Sequence, residues 1–434
     1  MIAKLKSVIA ISWKPIAGEL NGKQVQWSGL LIFVFFFVLS LTKVGSFTLD
    51  EILFHYPNVV NFYENGLGAT FNARYSAANT PLPYIIVAEI ARLTGPNLVL
   101  ARVITGILSF FTFLMAMKLL KKHGADNYSP FVILFYPYFF VNSFVFYAVN
   151  YGLFFALLAL LVLDNKKGKD AWFPDFLAGV CLSLAVLCQQ FYLVMPAAIA
   201  FSRTILVFGQ KEGTLFRSII KVTISNLLLL LPLAVPGLLF VKWKGLTHPN
   251  FHVHSLSFFP STITAILFVS GFFFLPYLIQ SYKKIKAPVL FGALVGAALL
   301  VLFFKPAFSD FQGPGLFTGL TYHLLTLPGV ISPAITTLLM MGLACCGILF
   351  YMLLFKSLSS QWDYVLFAIC MFLVLGYAAN TQIGERHLLA LIIFLFLLVL
   401  PRIRRPVAIW YPGVMAVLGI GYFVYWTFFK YGAT

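Results

Sequence analysis

Few residues in this 434-residue chain can do chemistry: 13 are acidic and 7 are histidine. The most suggestive are two adjacent carboxylates, Asp50 and Glu51, just after the first long apolar run. With an unperturbed pKa near ~3.9, Asp50 is ionised at neutral pH and able to accept a proton as general base. At a water–lipid boundary it is within reach of both a lipid-borne group and a hydroxyl. Glu51 has two readings. It is either a second catalytic carboxylate or the last member of a capping box, Thr48-x-x-Glu51, where an acidic side chain also interacts favourably with the helix dipole. Ionisable groups beside apolar runs are costly near a bilayer, which singles out Glu385, Arg386 and His387 at the head of a late apolar segment. The alternative there is a pair that anchors a helix to head groups. His248, His252 and His254 are dense enough to suggest a metal. A His-x-His alternation in a loop is a weak zinc signal, however, so no metal or other cofactor is expected and a divalent ion stays an alternative.

The elements that position these residues follow from composition. Hydrophobic residues make up 61% and charged residues 10%, against about 25% charged in a soluble domain. A soluble globule of 48.5 kDa would expose roughly 16,600 Å². Its 30 basic and 13 acidic side chains would supply about one charge per 390 Å², too few to cover an apolar exterior. The solvent is therefore a lipid bilayer. Forty-eight Phe, 20 Tyr and 7 Trp agree, because membrane proteins use aromatics as lipid-facing bulk and interfacial anchors. The net charge of +17 sits in short clusters between apolar runs, which suits anionic head groups and topology, and no nucleic-acid partner is expected. The five cysteines (Cys181, Cys188, Cys345, Cys346, Cys370) all lie in apolar runs and read as inert thiols, with no disulfide.

In hydrocarbon the backbone must bond internally, so each apolar run of about 17–25 residues reads as a helix. Spans are expected near 27–44, 97–119, 129–147, 150–164, 172–190, 192–209, 218–241, 260–280, 288–304, 333–355, 363–379, 386–401 and 407–429. The fold class is thus an all-α polytopic membrane protein, one integral-membrane domain over 1–434 with about 13 transmembrane helices (11–13). The first span starts too deep in the chain for a simple cleaved signal. With segment 1–26 in the cytoplasm, 21 of the 30 Lys and Arg fall on the cytoplasmic side, as the positive-inside rule requires. The other side receives His55, His248, His252, His254, His323 and His387, and the long loops 45–96, 242–259 and 305–332. The cytoplasmic loops are short and carry no nucleotide fingerprint. Chemistry is therefore expected on the exoplasmic face, where a substrate arrives on a lipid.

Within the first loop, residues 48–66 read as an amphipathic helix lying on the membrane surface. Ile52, Tyr56, Val59, Val60 and Tyr63 form its apolar face, and Glu51, His55, Asn58 and Asn65 the other. Pro57 predicts a kink and Gly66 a C-cap. After Thr80-Pro81-Leu82-Pro83, a second short helix is expected over Tyr84–Arg92.

Four stretches carry a family resemblance: Leu49-Asp50-Glu51-Ile52-Leu53-Phe54-His55-Tyr56-Pro57; Asn79-Thr80-Pro81-Leu82-Pro83-Tyr84; Phe135–Phe140 with Phe146–Gly152; and Val186-Leu187-Cys188-Gln189-Gln190. Together they resemble the GT-C superfamily of polyprenyl-phosphate-sugar-dependent glycosyltransferases, and within it the dolichyl-phosphate-glucose-dependent α-1,2-glucosyltransferases. The likeness covers roughly the first 200 residues. It departs at Cys188-Gln189-Gln190-Phe191, where the family has Arg-Gln-Thr-Asn, and at Val149-Asn150, where it has Thr followed by Asp or Glu.

The resemblance implies a GT-C-like bundle and an inverting single displacement, with Asp50 as base toward the acceptor hydroxyl. It implies a cation to stabilise the departing phosphate, for which Arg386 is the first candidate and Lys242 and Lys244 are helpers or snorkelling anchors. His55, Asn150, Gln189, Gln190, His248, His252, His254, Glu385 and His387 are candidates for contacting sugar or acceptor; the two glutamines and Asn150 equally suit bonds between helices. The implied partners are a polyprenyl-phosphate-linked sugar donor and a lipid-linked, polysaccharide or protein acceptor. The alternative function is a transporter or flippase of a lipid-linked saccharide, for which an internal repeat and broken spans in both halves would be expected. Short loops and the absence of a retention signal point to a prokaryotic plasma membrane, with the endoplasmic reticulum as the alternative.

Overall fold

A protein dissolved in hydrocarbon exposes apolar side chains and keeps its polar ones inside, and the computed structural model has this pattern. Leu238, Val241, Phe303 and Val417 are among the most exposed side chains, while Glu51, Arg102, Asn150 and Glu385 are fully buried. The structure describes residues 22–41, 51–69, 75, 77–166, 172–208, 215–250, 258–308, 316–317, 319–321, 324, 332–379 and 385–426.

The described residues form α1 (Gly22–Leu41), α2 (Tyr56–Ala69), α3 (Leu82–Ala91), α4 (Leu98–Lys122), α5 (Ser129–Leu134), α6 (Pro137–Asn142), α7 (Ala148–Asp164), α8 (Phe173–Cys188) and α9 (Val194–Phe208). They continue as α10 (Leu215–Leu230), α11 (Ala234–Trp243), α12 (Pro260–Phe273), α13 (Leu275–Ser281), α14 (Ala287–Phe303), α15 (Pro333–Lys356), α16 (Gln361–Ala378), α17 (Leu389–Val399) and α18 (Arg405–Val424). One two-residue parallel pair, Ala307–Phe308 with Leu316–Phe317, is the sheet among them. Seven helical stretches are long and apolar enough to cross a bilayer, or eight if α12 and α13, bent by 66° at their junction, make one span. The all-α polytopic class therefore holds. Shorter apolar helices, among them α7, α8 and α14, occupy further expected spans.

One expected span is broken. Residues 129–147 form two six-residue helices, α5 and α6, rather than a single crossing. Pro130 and Pro137 each open a helix, where a missing N–H costs nothing, but Pro137 cannot extend α5 because it has no proton to donate back along it.

The bundle centres on α17, all of whose residues are buried. A helix apolar on every face needs such a place. Helices α7 and α8 pack together, as do α9 with α16 and α12 with α15. The α12–α15 contact depends on Gly271 and Gly347: a Cβ on Gly347 would lie 2.0 Å from the carbonyl oxygen of Leu267. Small residues let backbones approach this closely where lipid provides no hydrophobic drive between helices.

The basic loops meet at one end of the bundle. There Asp175 binds Lys166 (2.7 Å), Arg203 (3.0 Å) and the Ser225 hydroxyl (2.7 Å). Asp164 binds Lys122 (2.8 Å), and Asp363 binds Arg402 (2.6 Å). Cavities of about 540 and 620 Å³ also open at this end. Arg102 and Lys121 share α4, 19 positions apart, which at 1.5 Å per residue puts Arg102 about 28 Å away, at the far end.

Candidate functional site

The first loop enters the far end as a π-helical turn, Glu51–His55, followed by α2. Pro57 lies at the second position of α2, just past the junction where the π-helical turn gives way to α-helix. Gly66 breaks the helix at φ 67°, a conformation open to glycine, at the position expected for the cap. The two expected faces are not cleanly separated: Val59, on the expected apolar face, is fully buried, and residues of the expected polar face are buried with it. Glu51, His55 and Asn58 point inward and are buried, while Ile52, Leu53 and Phe54 are exposed.

Glu51 makes a buried bidentate pair with Arg102: Nε to Oε1 at 3.0 Å and Nη2 to Oε2 at 2.6 Å. The backbone N–H of Phe146 also donates to Oε1 at 2.8 Å. Both side chains have no exposed area. The pair clamps the first loop onto α4 and the turn before α7. Arg102 had escaped sequence reasoning as a partner; the available signal was a charged residue five positions into an apolar helix.

One turn further on, His55 Nδ1 lies 2.8 Å from the Tyr84 hydroxyl. Its ring packs against Tyr147, with centroids 4.7 Å apart. The Tyr147 hydroxyl accepts a hydrogen bond from Arg386 Nη1 at 2.6 Å, and the guanidinium carbon stands 5.2 Å from the centre of that ring. The ring face and hydroxyl thus hold the cation by electrostatic attraction and by a directed bond. The first loop, the turn before α7 and the turn before α17 therefore converge. Arg386 and His387 are partly exposed beside this cluster.

Glu385 faces the opposite way. The Tyr138 hydroxyl and the Thr321 N–H both donate to Oε2 at 2.9 Å, and the Thr321 hydroxyl donates to Oε1. Tyr138 in turn accepts from the Leu320 N–H at 2.6 Å. Burial pushes the Glu385 carboxyl up to about 7, outweighing these donors, which favour the charged form. Glu385 is thus a bracket for the 319–321 segment, and it leaves Arg386 to face the cluster. Neither Tyr138 nor Thr321 carries a local sequence signal for this contact.

The remaining candidates are more dispersed. Asn150 is buried and donates to the Ser109 hydroxyl at 2.7 Å, across the α4–α7 interface. Gln190 donates to the Ala78 carbonyl at 3.0 Å, and Gln189 is buried beside it. His248 packs against Trp243 and Tyr75, with centroids 5.4 and 5.5 Å away. Lys242 and Lys244 flank that tryptophan and are exposed. Asp50, Thr48, His252, His254 and His323 lie outside the described residues. Among the described residues, no group of three His, Cys, Asp or Glu is placed to hold a metal ion.

Chemically, the cluster offers a held cation, a histidine and tyrosine hydroxyls at the end of the bundle opposite the basic loops, next in sequence to the Asp50 carboxylate. No protein-family model matches the chain, and no curated protein matches it. Among solved structures it is similar to the S. cerevisiae protein O-mannosyltransferase Pmt1-Pmt2 complex bound to the sugar donor. That likeness has 16% identity over 60% of this chain and a TM-score of 0.40, and it spans 38% of the length of that protein. The chain is also similar to ArnT from Cupriavidus metallidurans in the apo state, with 14% identity over 92% of this chain and 76% of that one, and a TM-score of 0.43. For the same protein bound to undecaprenyl phosphate the values are 12% identity, 92% and 77% coverage, and a TM-score of 0.44.

Proposed function

We propose that this protein is an integral-membrane glycosyltransferase of the GT-C type that moves a sugar from a polyprenyl-phosphate donor to an exoplasmic hydroxyl. The carboxylate of Asp50 takes the acceptor proton as the acceptor oxygen bonds to the anomeric carbon. The bond from that carbon to phosphate breaks, and its electron pair leaves with the phosphate. A phosphodiester monoanion thus becomes a monoester dianion, and the added charge is what the site must stabilise. Arg386 supplies the positive charge, held in place by Tyr147, with Lys242 and Lys244 as further attraction for the donor phosphate. Attack opposite the leaving group inverts the anomeric centre. Glucose carried on a dolichyl-type lipid is the finer version of the proposal, and it rests on the first-loop resemblance.

The observation that carries the reading is the meeting of the first loop with Arg386 through His55 and Tyr147. It brings a cation from late in the chain to a ring that packs on His55, five positions after Asp50 in the sequence. The test is turnover by the purified protein with a panel of polyprenyl-phosphate sugars. Asp50→Asn is expected to abolish transfer while retaining donor binding, and full activity in that variant removes Asp50 as the base.

A further inference from the structure

We infer that the 540 Å³ cavity at the basic end of the bundle is a binding site for a phosphate-ester anion, with the head group of an anionic phospholipid as its source. The cavity lies between α13, the α15–α16 turn and the α17–α18 turn. Its volume is that of a small-ligand pocket (about 300–1,000 Å³). Three fixed cations line it, Lys284, Arg402 and Arg404, against one carboxylate, Asp363. Arg402 is neutralised by Asp363 at 2.6 Å. Lys284 and Arg404 have no ion pair among the described residues and are exposed, so the cavity keeps an excess of about two positive charges.

The frame around these cations is built. Gln280 donates from Nε2 to the Arg402 carbonyl at 3.0 Å and accepts at Oε1 from the Arg404 N–H at 2.8 Å. These two hydrogen bonds fix the backbone of Arg404 relative to α13, the helix leading to Lys284. Ser357, Ser359 and Ser360 add hydroxyls to the wall. At the edge, Trp362 stacks on His123 with centroids 4.7 Å apart and planes 4° from parallel, an aromatic anchor of the kind found at head-group depth. Tyr282 and Phe355, 60% and 58% exposed, stand one and two positions from the lining residues Ser281 and Ser357 and offer acyl chains an apolar surface. Basic pockets between transmembrane helices on the cytoplasmic side suit anionic head groups, and this end carries the excess of Lys and Arg. The inference needs the basic end to meet a leaflet; it does not need the glycosyl-transfer reading.

The test uses the full chain in nanodiscs of phosphatidylcholine with increasing phosphatidylglycerol, read by native mass spectrometry as retained lipid. The proteins are the wild type, Lys284→Gln, Arg404→Gln, the double variant, and Lys118→Gln, whose exposed side chain lies outside the cavity. Each cation near an anionic head group contributes enough that its removal weakens retention about fivefold, and both together about thirtyfold. Lys118→Gln is expected to stay within about twofold. Unchanged phosphatidylglycerol retention in the double variant, with helical circular dichroism and melting like the wild type, overturns the site. A parallel titration with inorganic phosphate at matched ionic strength separates the sources. Binding of phosphate that needs Lys284 and Arg404, without any preference for phosphatidylglycerol, overturns the lipid source.

Discussion

Replacing Arg102 by Met removes the only described side chain that neutralises Glu51, and the structure sets the scale of the loss. Both partners are fully buried, joined at 2.6 and 3.0 Å, and the Phe146 N–H also donates to the carboxylate. Breaking a buried pair from one side leaves an uncompensated charge and costs about 3–5 kcal/mol. Removing both charges together is far milder, because an apolar pair of similar volume also escapes the desolvation penalty. Glu51→Leu with Arg102→Met is therefore expected to recover most of the loss, apart from about 1–3 kcal/mol for the Phe146 N–H left without an acceptor. Unfolding in detergent, followed for the wild type, both single variants and the double variant, closes the cycle. A coupling of at least about 2 kcal/mol is expected. Strictly additive losses would refute the clamp, and Glu51→Gln that retains full stability but loses all turnover would instead assign Glu51 to the reaction.

Three further outcomes follow from the same geometry. Arg386→Ala is expected to lower kcat by about 10²–10³, the effect of removing one preorganised charge-stabilising group, while Tyr147→Phe, which keeps the ring and deletes the hydroxyl, loses less; a steady-state assay with saturating donor separates the two. Glu385, with its carboxyl raised to about 7 from 4.5, binds a proton more tightly folded than unfolded. Its contribution to stability is thus complete below pH 4.5 and lost as pH rises through 7, about 3 kcal/mol in all at 1.36 kcal/mol per unit. Melting from pH 4.5 to 8 is expected to show that decline in the wild type and not in Glu385→Gln; parallel curves contradict it. Gly347→Leu is expected to cost about 3 kcal/mol or more, the upper end of overpacking, since its first carbon already meets the Leu267 carbonyl. Equal melting of the variant and the wild type would show that α12 and α15 have room to separate.

The long spans were legible because bilayer thickness imposes a length on apolar runs, and α4, α15 and α18 fall within a few residues of expectation. The position of the break at Gly66 was legible from local backbone chemistry. The split of 129–147 was not foreseen because hydropathy averages over Pro130 and Pro137, although the prolines themselves carried the signal. Contacts between distant parts of the chain were out of reach: Glu51 and Arg102 are 51 positions apart, and Tyr138 and Glu385 are 247 apart. Nothing in single-sequence periodicity encodes such partners. The first-loop helix buries residues of both its expected faces, Glu51 and His55 as well as Val59, because its polar side chains find partners in the bundle that periodicity cannot show. Of the expected site residues, Arg386 and His55 meet in one cluster through Tyr147, Asn150 bonds to a neighbouring helix, and Gln190 bonds to the chain just before α3.

The Tyr147–Arg386 bond also orders events in time. His55 leaves the ribosome 331 residues before Arg386, which at 5–20 residues per second is an interval of roughly 17–66 s. Throughout most of that interval Glu51 already has Arg102 as its partner, while Tyr147 still lacks the guanidinium of Arg386. Any translation product that stops short of position 386 can form the Glu51–Arg102 clamp but not the bond that ties the head of α17 to the turn before α7.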